Sequence, residues 1–254
     1  MEFLLKIINR VLALINKIMK KDKKSIFSFL KNINKKKDIH TLETIYIASM
    51  LSIVGGYVDA YTYITRDGVF AYAQTGNIIF FAMNLAGGKF YEAVNCLFPI
   101  LSFICGIWFA QFIKKITNGK HIMEWGYIIL LINTIILFMV GLFSINFPNA
   151  IVVSSISFIS AVQMTTFNKV EGLSYVTNMC TGNLKSASEH IFHFLFSKDK
   201  NGMKNGIKYL TILLFFTLGA YLGALFTNRF GIKSVWVAAG ILLFVDSFMF
   251  FERN

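Results

Sequence analysis

Long apolar runs alternate with short polar breaks along most of this chain. Runs over about 43–65, 92–115, 125–146, 149–168, 207–228 and 233–251 each approach the ~20 apolar residues that carry a helix across a bilayer. Two further segments, TGNIIFFAMNLAGG from Thr75 and TGNLKSASEHIFHFLF from Thr181, keep a helical pattern after a polar triplet. The first is too short to span comfortably. The second carries Lys185, Ser186, Ser188, Glu189, His190 and His193, which lipid penalises. The pattern therefore predicts an all-α polytopic membrane protein, with about six transmembrane helices and two shorter Thr-Gly-Asn half-helices.

Composition agrees. The chain is 56% hydrophobic and 15% charged, more apolar and less charged than a soluble domain. The net charge of +12 is concentrated at the N-terminus, where Arg10 and a series of lysines precede residue 43. Glu2, Lys6, Asn9, Arg10, Ala13, Lys17 and Lys20 recur at helical spacing, with Leu, Ile and Val on the other face. Lys6 and Arg10 interrupt the apolar run, and no small-residue cleavage site follows, so a signal peptide is not expected. Residues 1–42 read as a basic amphipathic cytoplasmic extension that contacts anionic lipid headgroups, and 43–251 as the membrane domain. No nucleic-acid-binding motif accompanies the charge, so no nucleic acid partner is expected.

The two halves of the membrane domain repeat, about 43–146 and about 149–251. A shift of 104 places Asp59 on Gln163, Thr62 on Thr166, Asp67 on Glu171 and Gly68 on Gly172. A shift of 106 places Thr75, Gly76 and Asn77 on Thr181, Gly182 and Asn183. A shift of 113 places Gly106 on Gly219 and Ala110 on Gly223, small-residue spacings that let membrane helices approach closely. If the triplet helices stop short and the N-terminus is cytoplasmic, Lys114, Lys115, Lys120, Lys169, Lys185, Lys198, Lys200, Lys204, Lys208 and Arg253 all lie inside. Arg66, Lys89, Arg229 and Lys233 then lie outside, as the positive-inside bias favours. Three crossings per half invert the second half relative to the first.

The stretch GGYVDAYTYITRDGVFAYAQTGN resembles the first-half signature of the YoaK family of bacterial multi-pass membrane proteins, and AVQMTTF…VTNMCTGN resembles its second-half counterpart. Ala161 and Met164 stand where that family usually has Gly and Asn. The resemblance covers roughly 43–251 and implies a multi-pass, permease-like protein of the cell membrane without an assigned biochemical activity.

Asp59 is the foremost candidate for chemistry, because a carboxyl within an apolar span usually faces a cavity, a partner or a proton path. It can equally serve as a structural group that caps a broken helix. Arg66, seven residues on, lies on roughly the same face, ~10 Å away. Thr75, Gly76, Asn77, Gln163, Thr181, Gly182 and Asn183 are the remaining candidates. A Thr-Gly-Asn turn offers hydroxyl, amide and bare N–H groups to a substrate, or its Thr simply caps the helix. Asp246 reads as structural. His190 and His193 share a face but have no convincing third ligand, so neither a metal nor a cofactor is expected. Cys96, Cys105 and Cys180 read as buried free thiols. Enzyme motifs are missing.

The expectation is a small-solute permease, coupled to a proton or cation, with its site between the repeats. The alternative is a non-transporting scaffold or sensor. A cavity joining Asp59 to both triplets favours transport, and a packed centre favours the scaffold.

Overall fold

Thr44 begins the membrane domain by accepting a hydrogen bond from the Ile47 N–H through its side chain, the usual work of a threonine at a helix start. The computed structural model describes residues 44–117, 122–176, 180–197, 199 and 201–253. The basic extension and its expected lipid contacts lie outside them. All described residues belong to the unit His40–Asn254.

Among the described residues eight α-helices follow one another: α1 (Ile45–Thr65), α2 (Gln74–Ala86), α3 (Phe90–Ile116), α4 (Ile122–Leu142), α5 (Asn149–Thr166), α6 (Cys180–Ser197), α7 (Gly202–Phe230) and α8 (Val235–Arg253). A short 3₁₀ turn, Gly231–Ser234, joins α7 to α8. The expectation of an all-α membrane protein holds, with one small addition. Lys169–Val170 and Leu173–Ser174 form a two-residue antiparallel ladder after α5. Helix α3 runs through Pro99 without a break in its assignment.

Among the described residues four stretches are long and apolar enough to cross a membrane: Phe90–Ile116, Trp125–Leu142, Asn149–Thr166 and Gly202–Met249. The last spans 48 residues and contains both α7 and most of α8. Helix α1 is not among them, because Ser49, Ser52, Asp59 and its glycines and tyrosines dilute its apolar character. Length and apolarity alone therefore fall short of the expected six crossings.

The inside and outside of the bundle are arranged for lipid. Trp108, Phe112, Leu214, Tyr221 and Phe244 are more than half exposed, while Asp59, Asn77, Asn133, Ser157 and Gln163 are buried. In water such an exposed apolar belt would drive association; around a membrane domain it meets acyl chains.

Packing pairs the helices in a regular way. Helix α1 packs on α7, and α5 on α3. Helix α2 packs on α3, and α6 on α7. Helix α4 packs on α5, α8 on α1, and α4 and α8 on each other. Exchanging α1–α4 with α5–α8 leaves this set of contacts unchanged.

Missing side chains allow the closest approaches. A Cβ on Gly219 would strike the Ile53 carbonyl, and one on Gly56 the Phe216 carbonyl, so α1 and α7 touch backbone to backbone. Gly106 plays the same part for α3 against the Phe158 carbonyl of α5. Both contacts place small residues at a helix crossing, as membrane helices often do. At the α4–α8 crossing, the Trp236 indole donates to the Phe138 carbonyl at 3.1 Å, its ring lying where a Gly141 side chain would be.

Candidate functional site

Helix α1 ends at Thr65, and the chain turns back through Arg66, Asp67 and Gly68, the last two at positive φ, before α2 begins at Gln74. The returning stretch of chain brings backbone N–H groups over the side of α1. Asp59 meets them there. Its Oδ1 accepts from the Tyr72 N–H at 2.8 Å and from the Ala73 N–H at 3.3 Å. Ala73 precedes α2 and has no side chain able to cap it. A carboxylate on another helix thus satisfies N–H groups beside the start of α2, where free donors gather. Thr62, one turn further along α1, accepts from the Ala71 N–H at 3.3 Å. Asp59 Oδ2 is buried and has no hydrogen-bond partner among the described residues.

The triplets use their asparagines. Asn77 Oδ1 accepts from the Phe70 N–H at 3.0 Å, and Asn77 Nδ2 donates to the Phe70 carbonyl at 2.6 Å. Asn183 repeats both bonds with Val176, at 3.4 and 2.7 Å. In each case the asparagine grips the backbone seven residues earlier and fixes the turn into the short helix. The threonines do not cap: Thr75 and Thr181 lie within α2 and α6, and Thr181 is exposed. Gly76 packs against the Phe70 ring, whereas a Cβ on Gly182 would meet open space. The two turns correspond in backbone as well. Asp67 and Gly68 have φ of 54° and 71°, and Glu171 and Gly172 have 46° and 81°.

A buried polar network extends from Asp59 to the opposite half. Asn133 on α4 donates to the Tyr72 hydroxyl at 3.4 Å and also to Gln163 Oε1 on α5. Ser157 on α5 donates to the Ala71 carbonyl at 2.7 Å and accepts from Gln74, which in turn accepts from Asn77. The loop before α2 is thereby tied to α1, α4 and α5 together. The structure therefore gathers Asp59, Asn77 and Gln163 into one network. Asn183 makes its own separate lock, and among the described residues the Thr75 and Thr181 side chains make no hydrogen bond to the network, while Gly76 and Gly182 have no side chain to offer one.

Several contributors lie outside the candidates that the sequence suggests. Asn133 interrupts the run IILLINTIIL, and an amide in so apolar a helix is a visible signal. Ser157 and Tyr72 carry no such signal, since serines and tyrosines are common in this chain. Arg66 does not pair with Asp59. It lies past the helix end, fully buried, and donates from Nη1 to Asn149 Oδ1 at 3.1 Å. Among the three cysteines, Cys96 is buried but Cys105 is exposed, and Cys180 is intermediate, so the expectation of three buried thiols is corrected. Cys105 lies on the outer face of α3. His190 stacks on Tyr209 with ring centroids 5.7 Å apart.

A groove of about 560 Å³ lies elsewhere, lined by Phe98, Ser102, Ile136, Ser154, Ser155 and Phe158. It includes neither Asp59 nor a triplet.

The arrangement can be set beside known proteins. The chain is 27% identical over 202 residues to the UPF0700 transmembrane protein YoaK of Bacillus subtilis (strain 168), an overlap of 75% of this chain and 87% of that protein. No solved structure matches it. Asp59, Gln163 and both triplets fall within residues 47–246, which match the family described as Protein of unknown function (DUF1275), and the chain belongs to that family of membrane proteins.

Proposed function

We propose that the protein is a small-solute permease of the cell membrane, coupled to a proton or cation, with its site between two inverted repeats. Helices α1, α3, α4, α5, α7 and α8 cross, while α2 and α6 enter as half-helices. The N-terminus is cytoplasmic, and the basic extension meets anionic lipid. The observation that carries the reading is the Asp59 carboxylate at the start of α2. One oxygen holds the broken segment in place, and the other remains buried, without a partner among the described residues, for a proton, a cation or a substrate. Carboxyls are rarely placed so within a membrane domain without a function.

Three further facts support the plan. The Asn77 and Asn183 locks are the same two bonds at the same separation. The helix contacts exchange cleanly between halves. Broken helices at a repeat interface are a recurrent basis for solute binding. No enzymatic step is assigned.

The scaffold reading also has an observation in its favour. Tyr72 packs almost fully buried beside Asp59, and the groove lies apart from it. Flux decides between the two. Purified protein in liposomes, given an imposed proton or sodium gradient, should move at least one of a panel of small amines, amino acids and carboxylates. Its rate should exceed that of protein-free liposomes. Rates equal to protein-free liposomes across the panel would favour the scaffold.

A further inference from the structure

Arg66 is a buried cation without a counter-charge among the described residues. Its side chain is 0% exposed. Nη1 is used by Asn149, but Nε and Nη2 have no hydrogen-bond partner among the described residues. The neighbouring carboxylate does not supply one. Asp67 Oδ2 instead accepts from Asn149 Nδ2 at 2.6 Å, so that Asn149 stands between the two charged side chains. The Tyr61 hydroxyl is also buried, makes no hydrogen bond of normal geometry among the described residues, and lies beside the Arg66 guanidinium and Thr65.

The free atoms have a specific shape. Nε–H and Nη2–H are the two parallel donors on one edge of a guanidinium, the edge that grips both oxygens of a carboxylate at once. An unpaired buried charge is strongly unfavourable, and sequences rarely keep one without a use. The third donor, Tyr61 O–H, comes from the turn of α1 before Arg66. Asn149, at the start of α5, holds the guanidinium from its other side, so residues of two helices fix its plane.

We infer that Arg66 and Tyr61 form an occluded binding site for the carboxylate group of a small solute, with Nε and Nη2 taking its two oxygens and the tyrosine hydroxyl assisting. Asn149 is a positioning residue, since it holds the guanidinium rather than the ligand. The claim concerns binding and does not depend on the solute being carried. Its failure leaves the permease reading, which rests on Asp59, where it stands.

The test is thermal unfolding of the purified full chain in detergent, with added sodium acetate, sodium phosphate, sodium chloride or acetamide at matched ionic strength. A ligand bound only by the folded form raises the melting temperature with its concentration. Acetate should give a saturable rise of about 3 °C or more, with little from chloride, phosphate or acetamide. Arg66→Lys keeps the charge but loses the fork, so it should weaken the acetate response at least ~10-fold in midpoint concentration. Tyr61→Phe should weaken it less. A wild-type acetate response no larger than that of chloride or acetamide would overturn the site. So would a response unchanged in Arg66→Lys. An equal response to phosphate would overturn the carboxylate assignment. The wild-type comparison decides even if Arg66→Lys does not fold.

Discussion

Asp59 on α1 accepts the Tyr72 N–H at 2.8 Å, and this one bond ties a long helix to the chain entering the first short one. Through Tyr72 the relationship continues to Asn133 and then to Gln163, the residue that a shift of 104 in the sequence places on Asp59. The centre of the bundle is thus organised by side chains that serve backbone groups first. Substitutions at these positions separate that structural service from a functional one.

The asparagine of each triplet should matter more than its threonine. Asn77→Ala leaves the Phe70 N–H and carbonyl without these partners and also loses the bond to Gln74. Two such bonds lost with their backbone groups left unpaired cost about 2–4 kcal/mol. Asn183→Ala should cost somewhat less, having one bond fewer in the described network. Thr75→Ala should be nearly neutral. Melting temperatures in one detergent check the order, and a threonine variant as damaging as Asn77→Ala would contradict it.

Glycines at the helix crossings give a second test. Gly219→Ala places a methyl against the Ile53 backbone, and Gly106→Ala does so against Phe158. Neither neighbour can rotate away, so each should lose about 1–3 kcal/mol through overpacking. Gly240→Ala meets open space on α8 and should be neutral or stabilising by up to ~1 kcal/mol. Equal melting temperatures for all three would show that the crossings are looser than described.

Much of this fold is legible in the sequence, and the reason is periodicity. Long apolar runs have few alternatives to a helix, and the repeated Asp/Glu-Gly and Thr-Gly-Asn spacings mark matching turns. Which triplet residue faces inward is not readable in the same way. Thr, Gly and Asn are all plausible at a helix start, and the choice depends on a backbone segment seven residues back. A regular helix puts positions seven apart on roughly one face, which would set Arg66 in line with Asp59, ~10 Å away. The helix stops at Thr65, so that rule no longer applies at the next residue. Helix α1 shows a further limit: polar residues needed inside the bundle lower its apolarity, so composition understates its role.

The proposed topology makes a prediction about sides. With Cys96, Cys105 and Cys180 replaced, single cysteines at Lys114 and Asp199 should both resist a membrane-impermeant thiol reagent added outside the cell. Both should react once the membrane is opened. Strong external labelling at either position would reject half-helices that stop short, and with them the inversion of the second half.

The basic extension should be separable from the membrane domain. The family match begins at residue 47, well after the lysine-rich segment. A chain lacking residues 1–38 should insert, purify as a single species and melt within a few degrees of the full chain. Aggregation of the shortened chain would show that the segment is needed for the core.

The central claim is that Asp59 carries a coupling charge as well as a cap, and Asp59→Asn tests it most directly. Asparagine keeps an oxygen for the Tyr72 and Ala73 N–H groups, so the turn into α2 should survive. It cannot gain or lose a proton or offer a full negative charge to a cation. The measurement is solute flux under an imposed ion gradient, made on the same purified variant whose melting temperature is recorded. The account predicts a melting temperature close to wild type with gradient-driven flux abolished. Wild-type, still gradient-driven flux in Asp59→Asn would contradict it, as would a loss of flux that merely follows a loss of folded protein.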